Sequence, residues 1–354
     1  MKRRLRCWIL GCGLWIGCAA TGCLWWSGCG GGDDGKRLNV YIWTNYITQE
    51  LLAQFTTQTG IKVKFDVYDS NEAVLEKLAS GASDYDIVVP TDYMVRILIK
   101  QGLLTPLDHA KLTKLSNITA KFRNPPCDPG NAHSVPYLWG TTGFAYNKAK
   151  VGTVLDSWAA VFEERWKGRI LMLDDMRECF GVSLRVLGHP ANSTNTAELA
   201  AARDLLIKQK PLVKTYNSSD FAGILRSGDV WIAHGYSGEL AKACDEDKNL
   251  AYVIPKEGCT VWVDNLCIPK SARHVEAAHA FINYMLEGKN IAAVVNAMSY
   301  ACANDAAQPF IKPALLADPA RYPDDAALKQ CNFLGDLGES LQLRDRYWTE
   351  VKAK

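Results

Sequence analysis

Trp262 and Asp264 stand two residues apart in the stretch G-C-T-V-W-V-D-N-L-C-I-P, residues 258–269, and share one face of an expected strand. A carboxylate beside a large aromatic ring in an apolar strand suits an organic cation. The acid takes a charge-assisted hydrogen bond and the ring offers its π face. Alone, the pair equally fits a core tryptophan and a turn-capping aspartate. Other segments repeat the combination. Trp43, Thr44 and Tyr46 end or follow an expected strand at 38–43, and Thr91 and Tyr93 follow one at 86–90. The run D-D-M-R-E, residues 174–178, sits where a strand gives way to a helix. Asp175 and Glu178 there lie three apart on one face of the first turn, a local negative site, although Asp174 or Asp175 also fits a plain helix cap. Tyr236 and Glu239, in H-G-Y-S-G-E at 234–239, follow a further strand.

Catalytic readings of the same residues find little support. G-Y-S-G-E departs from the nucleophile-elbow pattern G-x-S-x-G at its last position, and neither H-E-x-x-H nor a P-loop occurs. Six histidines, none paired at helical metal spacing, argue against a metal receptor. The expectation is a binding protein without catalytic residues, cofactor or metal.

Patterning supplies the elements that would position these residues. Strands are expected at 38–43, 61–68, 86–90, 169–173, 212–216 and 230–233, and an extended stretch at 137–146. Helices are expected at 48–57, stopped by Gly60, at 71–79 with Val74, Leu75 and Leu78 on one face, at 195–208 and at 218–226. Strand–helix alternation points to an α/β fold with parallel strands and right-handed crossovers, whose ligands bind outside the carboxyl ends of the strands. That rim is where the aromatic and acidic residues fall. With about 320 residues beyond the N-terminal region, two lobes are expected rather than one growing core.

Lys2, Arg3, Arg4 and Arg6 precede an apolar run from Trp8 to Ala20, too short to span a bilayer with ordinary flanks but suited to a signal peptide, residues 1–22. Ala20-Thr21-Gly22-Cys23 resembles the lipobox of bacterial lipoproteins, with Ala20 where leucine is usual. Cys23 is then the acylated residue, ahead of Cys18 or Cys29, and 23–36 a flexible tether. Removing the four basic residues of the leader from the 40 leaves 36 against 38 acidic residues, a net charge near −2, with no basic surplus for nucleic acid. Beyond the tether, Cys127, Cys179, Cys244, Cys259, Cys267, Cys302 and Cys331 are odd in number and scattered without a C-x-x-C pair. Buried thiols are expected, with room for one or two bridges.

The stretches Y-I-W-T-N-Y (41–46), T-G-I-K-V (59–63), D-S-N-E (69–72), D-I-V-V-P (86–90), W-A-A-V-F (158–162), D-D-M-R-E (174–178) and W-V-D-N-L-C-I-P (262–269), in this order and spacing, resemble the spermidine/putrescine-binding proteins of bacterial ABC importers. The resemblance runs from about residue 38 to the C-terminus. It implies a two-lobed type II periplasmic binding protein fold, each lobe a mixed, mostly parallel sheet flanked by helices. Its lobes would be 37–140 with 262–307, and 141–261 with 308–354. It further implies a polyamine held in the interlobe cleft by Trp43, Thr44, Tyr46, Thr91, Tyr93, Asp175, Glu178, Ser218, Tyr236, Glu239, Trp262, Asp264 and Tyr300. Delivery to a membrane permease by a monomer, lipid-anchored on the periplasmic side, completes the expectation. Asp264 would take one terminal ammonium, and Glu178, Asp175 or Glu239 the other end. Three departures bear on ligand length. Asn45 stands where family members often carry an acid, Leu334 where spermidine binders have glutamine, and Tyr236 where they have tryptophan. Glu239 falls where putrescine binders carry an aspartate, and together these favour putrescine with spermidine next. A binding protein of the same fold for another organic cation, an amino acid or an iron complex is the alternative, and a surface lipoprotein that keeps the fold without transport is a third class.

Overall fold

The computed structural model describes residues 36–81 and 83–354, so the expected leader, Cys23 and nearly all of the tether lie outside the described residues. Eleven strands are described: β1 (Arg37–Trp43), β2 (Lys62–Tyr68), β3 (Ile87–Val88), β4 (Ser134–Asn147), β5 (Ile170–Met172), β6 (Val213–Tyr216), β7 (Ile232–Tyr236), β8 (Leu250–Val253), β9 (Thr260–Cys267), β10 (Ala301–Cys302) and β11 (Asn332–Phe333). They join in one path, β2-β1-β3-β9-β4-β7-β5-β6, with β8 and β10 on β4 and β11 on β9.

The sheet is mixed. β1 runs parallel to β2 and β3 at one flank, and β5 parallel to β6 and β7 at the other. Between them β4 and β9 pair antiparallel to each other, and antiparallel to the flanks through β7 and β3. Strand–helix alternation therefore predicts the parallel flanks, where a helix carries the chain back over the sheet. It is silent on β4 and β9, whose partners are remote in sequence.

These two long strands join two apolar cores. One core gathers Leu38, Phe55, Leu138, Val263, Phe281 and Val295, and another gathers Phe144, Trp158, Ile170, Phe180, Leu206 and Ile232. β4 gives Leu138 to the first and Phe144 to the second. Val261, Trp262, Val263 and Leu266 pack in the first while Cys259, just ahead of β9, packs in the second. After residue 307 the chain still contributes Ile311 and Leu315 to the first core, and only Val351, near the C-terminus, is fully buried in the second. Every residue of β9 is buried, as expected of a strand covered on both faces.

Local chemistry fixes the helices that frame the cleft. Thr48 caps the helix Gln49–Thr59 by accepting from the Leu51 N–H, and Gly60 at φ 74° ends it in the left-handed region. Ser70 caps Asn71–Ala79 by accepting from the Ala73 N–H, and this helix turns Val74 and Leu78 into the core. Asp175 caps Met176–Val186 by accepting from the Glu178 N–H at 3.0 Å. No helix among the described residues is long and apolar enough to cross a membrane.

Candidate functional site

A cavity with about 100 Å³ available to the centres of water-sized molecules lies between the flanks of the sheet. All thirteen residues named from the sequence line it: Trp43, Thr44, Tyr46, Thr91, Tyr93, Asp175, Glu178, Ser218, Tyr236, Glu239, Trp262, Asp264 and Tyr300. Tyr68, Asp69, Ser70, Asn71, Ser219 and Leu334 complete the lining. The additional residues at 68–71 come from the end of β2 and the first turn after it. Their signal was already in the sequence, since D-S-N-E follows a strand as the other site segments do.

Asp264 is 3 % exposed and its two oxygens are claimed separately. Tyr46 donates its hydroxyl to Oδ2 at 2.7 Å, and Thr91 donates to Oδ1 at 2.6 Å. Thr91 is fixed in turn by Asn71, whose Nδ2 donates to Oγ1 and whose Oδ1 accepts from the Thr91 N–H, both at 3.0 Å. Thr91 and Asp264 also form a backbone bridge. Asp264 is therefore tied into this network rather than capping a turn. Burial pushes its carboxyl up to about 7, against the two hydrogen bonds that favour the anion.

Glu178 sits on the opposite flank, 4 % exposed, and is held in the same fashion. Thr142 on β4 donates to Oε1 at 2.9 Å and Thr260 on β9 donates to Oε2 at 2.8 Å. Burial raises it to about 7, with the Asp175 charge adding to the rise. Asp175 itself is raised to about 6, mainly by burial, against the Glu178 N–H that it caps. The helix-cap role and the cavity-lining position thus coincide in one residue. Glu239 is raised too, by burial, while hydrogen bonds from Asn45 and Tyr300 oppose the shift. Asn45 adopts φ 59°, a left-handed conformation that asparagine tolerates better than most residues.

Aromatic rings fill the space between the acids. Trp262 meets Tyr236 edge-on at 6.0 Å between centroids and Tyr300 at 5.6 Å, and Tyr46 lies 5.2 Å from Tyr300. Trp43 is anchored by donating from Nε1 to the Val89 carbonyl at 2.9 Å, and its ring lies 4.5 Å from that of Tyr68. Two glycines make room for these rings. A Cβ on Gly140 would come within 2.7 Å of the Trp262 indole, and one on Gly238 within 2.3 Å of the Tyr300 ring. Arg177, beside the cavity on the helix Met176–Val186, lies 4.3 Å from the Tyr93 centroid and 3.6 Å from Glu72. It thus joins the flank carrying β5 to the flank carrying β1.

Five carboxylates line the cavity, Asp69, Asp175, Glu178, Glu239 and Asp264, and no lysine or arginine is among the described residues lining it. Such a wall attracts cations, and the rings between the acids present flat apolar surface to methylene groups. No cluster of histidine, cysteine and acidic side chains suited to a metal occurs among the described residues.

Residues 50–329 match the model of the bacterial extracellular solute-binding protein family. Among curated proteins, the putrescine/cadaverine-binding protein of Pseudomonas aeruginosa is 34 % identical over 334 residues, spanning 90 % of this chain and 94 % of that one. The spermidine/putrescine-binding periplasmic protein of Escherichia coli is 36 % identical over 325 residues, spanning 91 % and 93 %. Among solved structures, the TpPotD lipoprotein of Treponema pallidum superposes with a TM-score of 0.82 at 31 % identity, covering 90 % of this chain and all of that one. The spermidine/putrescine ABC transporter substrate-binding protein PotD of Streptococcus pneumoniae gives 0.79 at 33 % identity, covering 90 % and 99 %.

Proposed function

The chain belongs to the bacterial extracellular solute-binding proteins, in the branch of the putrescine- and spermidine-binding proteins, and we propose that it captures a polyamine in this cavity and delivers it to an ABC importer. The carrying observation is the lining itself, five carboxylates with no basic residue among the described lining positions, interleaved with tyrosine and tryptophan rings. A polyamine is a chain of methylenes between protonated amines, and it answers both features. Asp264 takes one terminal ammonium and Glu178, with Asp175, the other end, while Trp262, Tyr236 and Tyr300 cover the methylenes. Two charge-assisted hydrogen bonds at about 1.5–3 kcal/mol each, with cation–π contacts at about 0.5–2 kcal/mol, reach micromolar affinity after ordering costs.

Putrescine is the preferred ligand on this reading, with spermidine second. Glu239 supplies an acid near Tyr300, and Leu334 adds an apolar side chain to the lining. The site is that of a receptor rather than an enzyme. An amino acid or an iron complex fits less well, since the carboxylate of the former or an anionic chelate would face acids without a basic partner. The lobes divide near Gly140 on β4 and Trp262 on β9 and close over the ligand by hinge motion. Anchoring to a bacterial membrane on the periplasmic side by acylated Cys23, as a monomer, completes the picture. It rests on the leader and lipobox residues, and a labelled-palmitate experiment in which C23A loses the label tests it.

Because Trp43 and Trp262 line the cavity, intrinsic fluorescence reports occupancy. Titration with putrescine, cadaverine, spermidine, lysine and glucose is expected to give saturable changes with the amines, putrescine tightest, and none with glucose. A response to lysine alone favours the amino-acid reading.

A further inference from the structure

Cys259 and Cys331 are 72 residues apart in the chain, and their sulfurs lie 3.3 Å from each other, about 1.3 Å beyond the ~2.0 Å of a bonded pair. The backbone holds them there independently of the thiols. Asn332 and Phe333 pair in parallel with Thr260 and Val261, and the Asn332 N–H donates to the Cys259 carbonyl at 3.1 Å. Arg185 braces the same place by donating from Nη2 to Asn332 Oδ1 at 2.7 Å. Both thiols are free, Cys259 fully buried and Cys331 partly exposed.

The pair also stands beside the binding cavity. Thr260, next to Cys259, donates to Glu178, and Leu334, three residues after Cys331, lines the cavity wall. The segment 331–334 is therefore the strip of C-terminal chain that carries a wall residue, attached by the two-residue pairing of β11 with β9, by Arg185 at Asn332, and by Asn192, which donates to the Phe333 carbonyl and accepts from the Gly335 N–H. We propose that Cys259 and Cys331 form an internal disulfide that fastens this wall segment to β9.

The chemistry is ordinary thiol–disulfide exchange with an external disulfide, of the class found in oxidising compartments. Cys331, the reachable sulfur, attacks as thiolate, and its anion is favoured by the Cys259 thiol and the Arg185 charge, which bring it down to about 7. One sulfur of the external disulfide stays on Cys331 and the other leaves as thiolate. Cys259 gives its proton to that departing thiolate and attacks Cys331 Sγ, releasing the second external thiol. Two protein thiols are oxidised and one external disulfide is reduced to two thiols.

The test uses the whole chain, equilibrated with oxidised or reduced glutathione, alkylated, digested and mapped by mass spectrometry. The expected result with oxidised glutathione is a peptide pair joined through Cys259 and Cys331, two hydrogens lighter than the sum of the free peptides, while Cys127, Cys179, Cys244, Cys267 and Cys302 are recovered alkylated. Recovery of Cys259 and Cys331 as separate alkylated or glutathione-bearing residues overturns the proposal. Melting supplies a second readout. Closing a loop of this length raises Tm by roughly 5 °C in the oxidised form, and C331S, chosen because Cys331 is the less buried partner, abolishes the difference. Equal Tm values for the oxidised and reduced parent chain contradict the fastening role. Neither measurement needs a ligand, so both decide the matter even if no polyamine binds. If putrescine binds, oxidation is expected to tighten it by about threefold through a preorganised wall.

Discussion

Asp264 is a buried acid whose two oxygens are both held in place, and on the proposed reading it receives a cation. Tyr46 and Thr91 hold its two oxygens, so the anion is oriented before any ligand arrives, and burial still pushes its carboxyl up to about 7. Replacing it with asparagine keeps the shape and removes the charge. D264N is expected to lose on the order of 2 kcal/mol or more of putrescine affinity with a circular dichroism spectrum unchanged, and equal affinity by calorimetry would make Asp264 structural only. The pH dependence follows from the same burial. Asp264 and Glu178 are raised to about 7 and Asp175 to about 6, against about 4 for carboxylates in an unfolded chain. Between those limits the folded protein binds more protons than the unfolded one. This contribution to stability is complete below about pH 4 and is lost as pH rises through about 7. A polyamine favours the anions, so its affinity moves the opposite way. Without ligand, Tm is expected to fall from pH 5 to pH 8 on this account, while the Tm increase produced by putrescine grows over the same range. A ligand-induced increase that shrinks with pH would contradict it. The residues that made this legible in the sequence were acids paired with aromatics at strand ends. What the sequence withheld were the partners, because Tyr46 and Thr91 lie 218 and 173 residues from the carboxylate they hold.

At the scale of elements, the helix Met176–Val186 shows why a capping aspartate and a site aspartate could not be told apart beforehand. Asp175 accepts the Glu178 N–H while lining the cavity, and asparagine is nearly as good a cap as aspartate. D175N is therefore expected to melt within a degree or two of the parent but bind putrescine more weakly, whereas D175A also loses about 1 kcal/mol of stability with the cap. Unchanged binding by D175N would leave only the cap. Strands β4 and β9 carry a second lesson. Alternation identifies the exposed face of a half-covered strand, but all eight residues of β9 are buried, so the shared face of Trp262 and Asp264 rested on spacing alone. The antiparallel pairing of β4 with β9 was not legible at all, since no turn links them. Gly140 on β4 is the hidden requirement of that pairing, because any side chain there meets the Trp262 indole. G140A is expected to displace the ring, costing about 1–3 kcal/mol of stability and weakening ligand binding. A melting curve unchanged from the parent would contradict this close approach.

For the molecule as a whole, the two largest apolar cores share one continuous sheet through β4 and β9. Arg177 reaches Tyr93 and Glu72 from across the cavity. The family resemblance carried by seven short stretches anticipated the two-lobed fold and its branch, which the relatives of Pseudomonas aeruginosa and Escherichia coli match over nine-tenths of the chain. It did not anticipate that the chain beyond residue 307 returns to the first core through Ile311 and Leu315 before reaching the second, because short apolar pairs in a loop-rich stretch carry no periodicity. The central claim is that one polyamine occupies one acid-lined cavity. Isothermal titration of the whole chain with putrescine at pH 8 tests it most directly. A saturable one-to-one isotherm of micromolar or tighter affinity, weaker at pH 6 and weaker in D264N, is the predicted result, and absence of binding heat with putrescine, cadaverine and spermidine alike, at several temperatures, would contradict it.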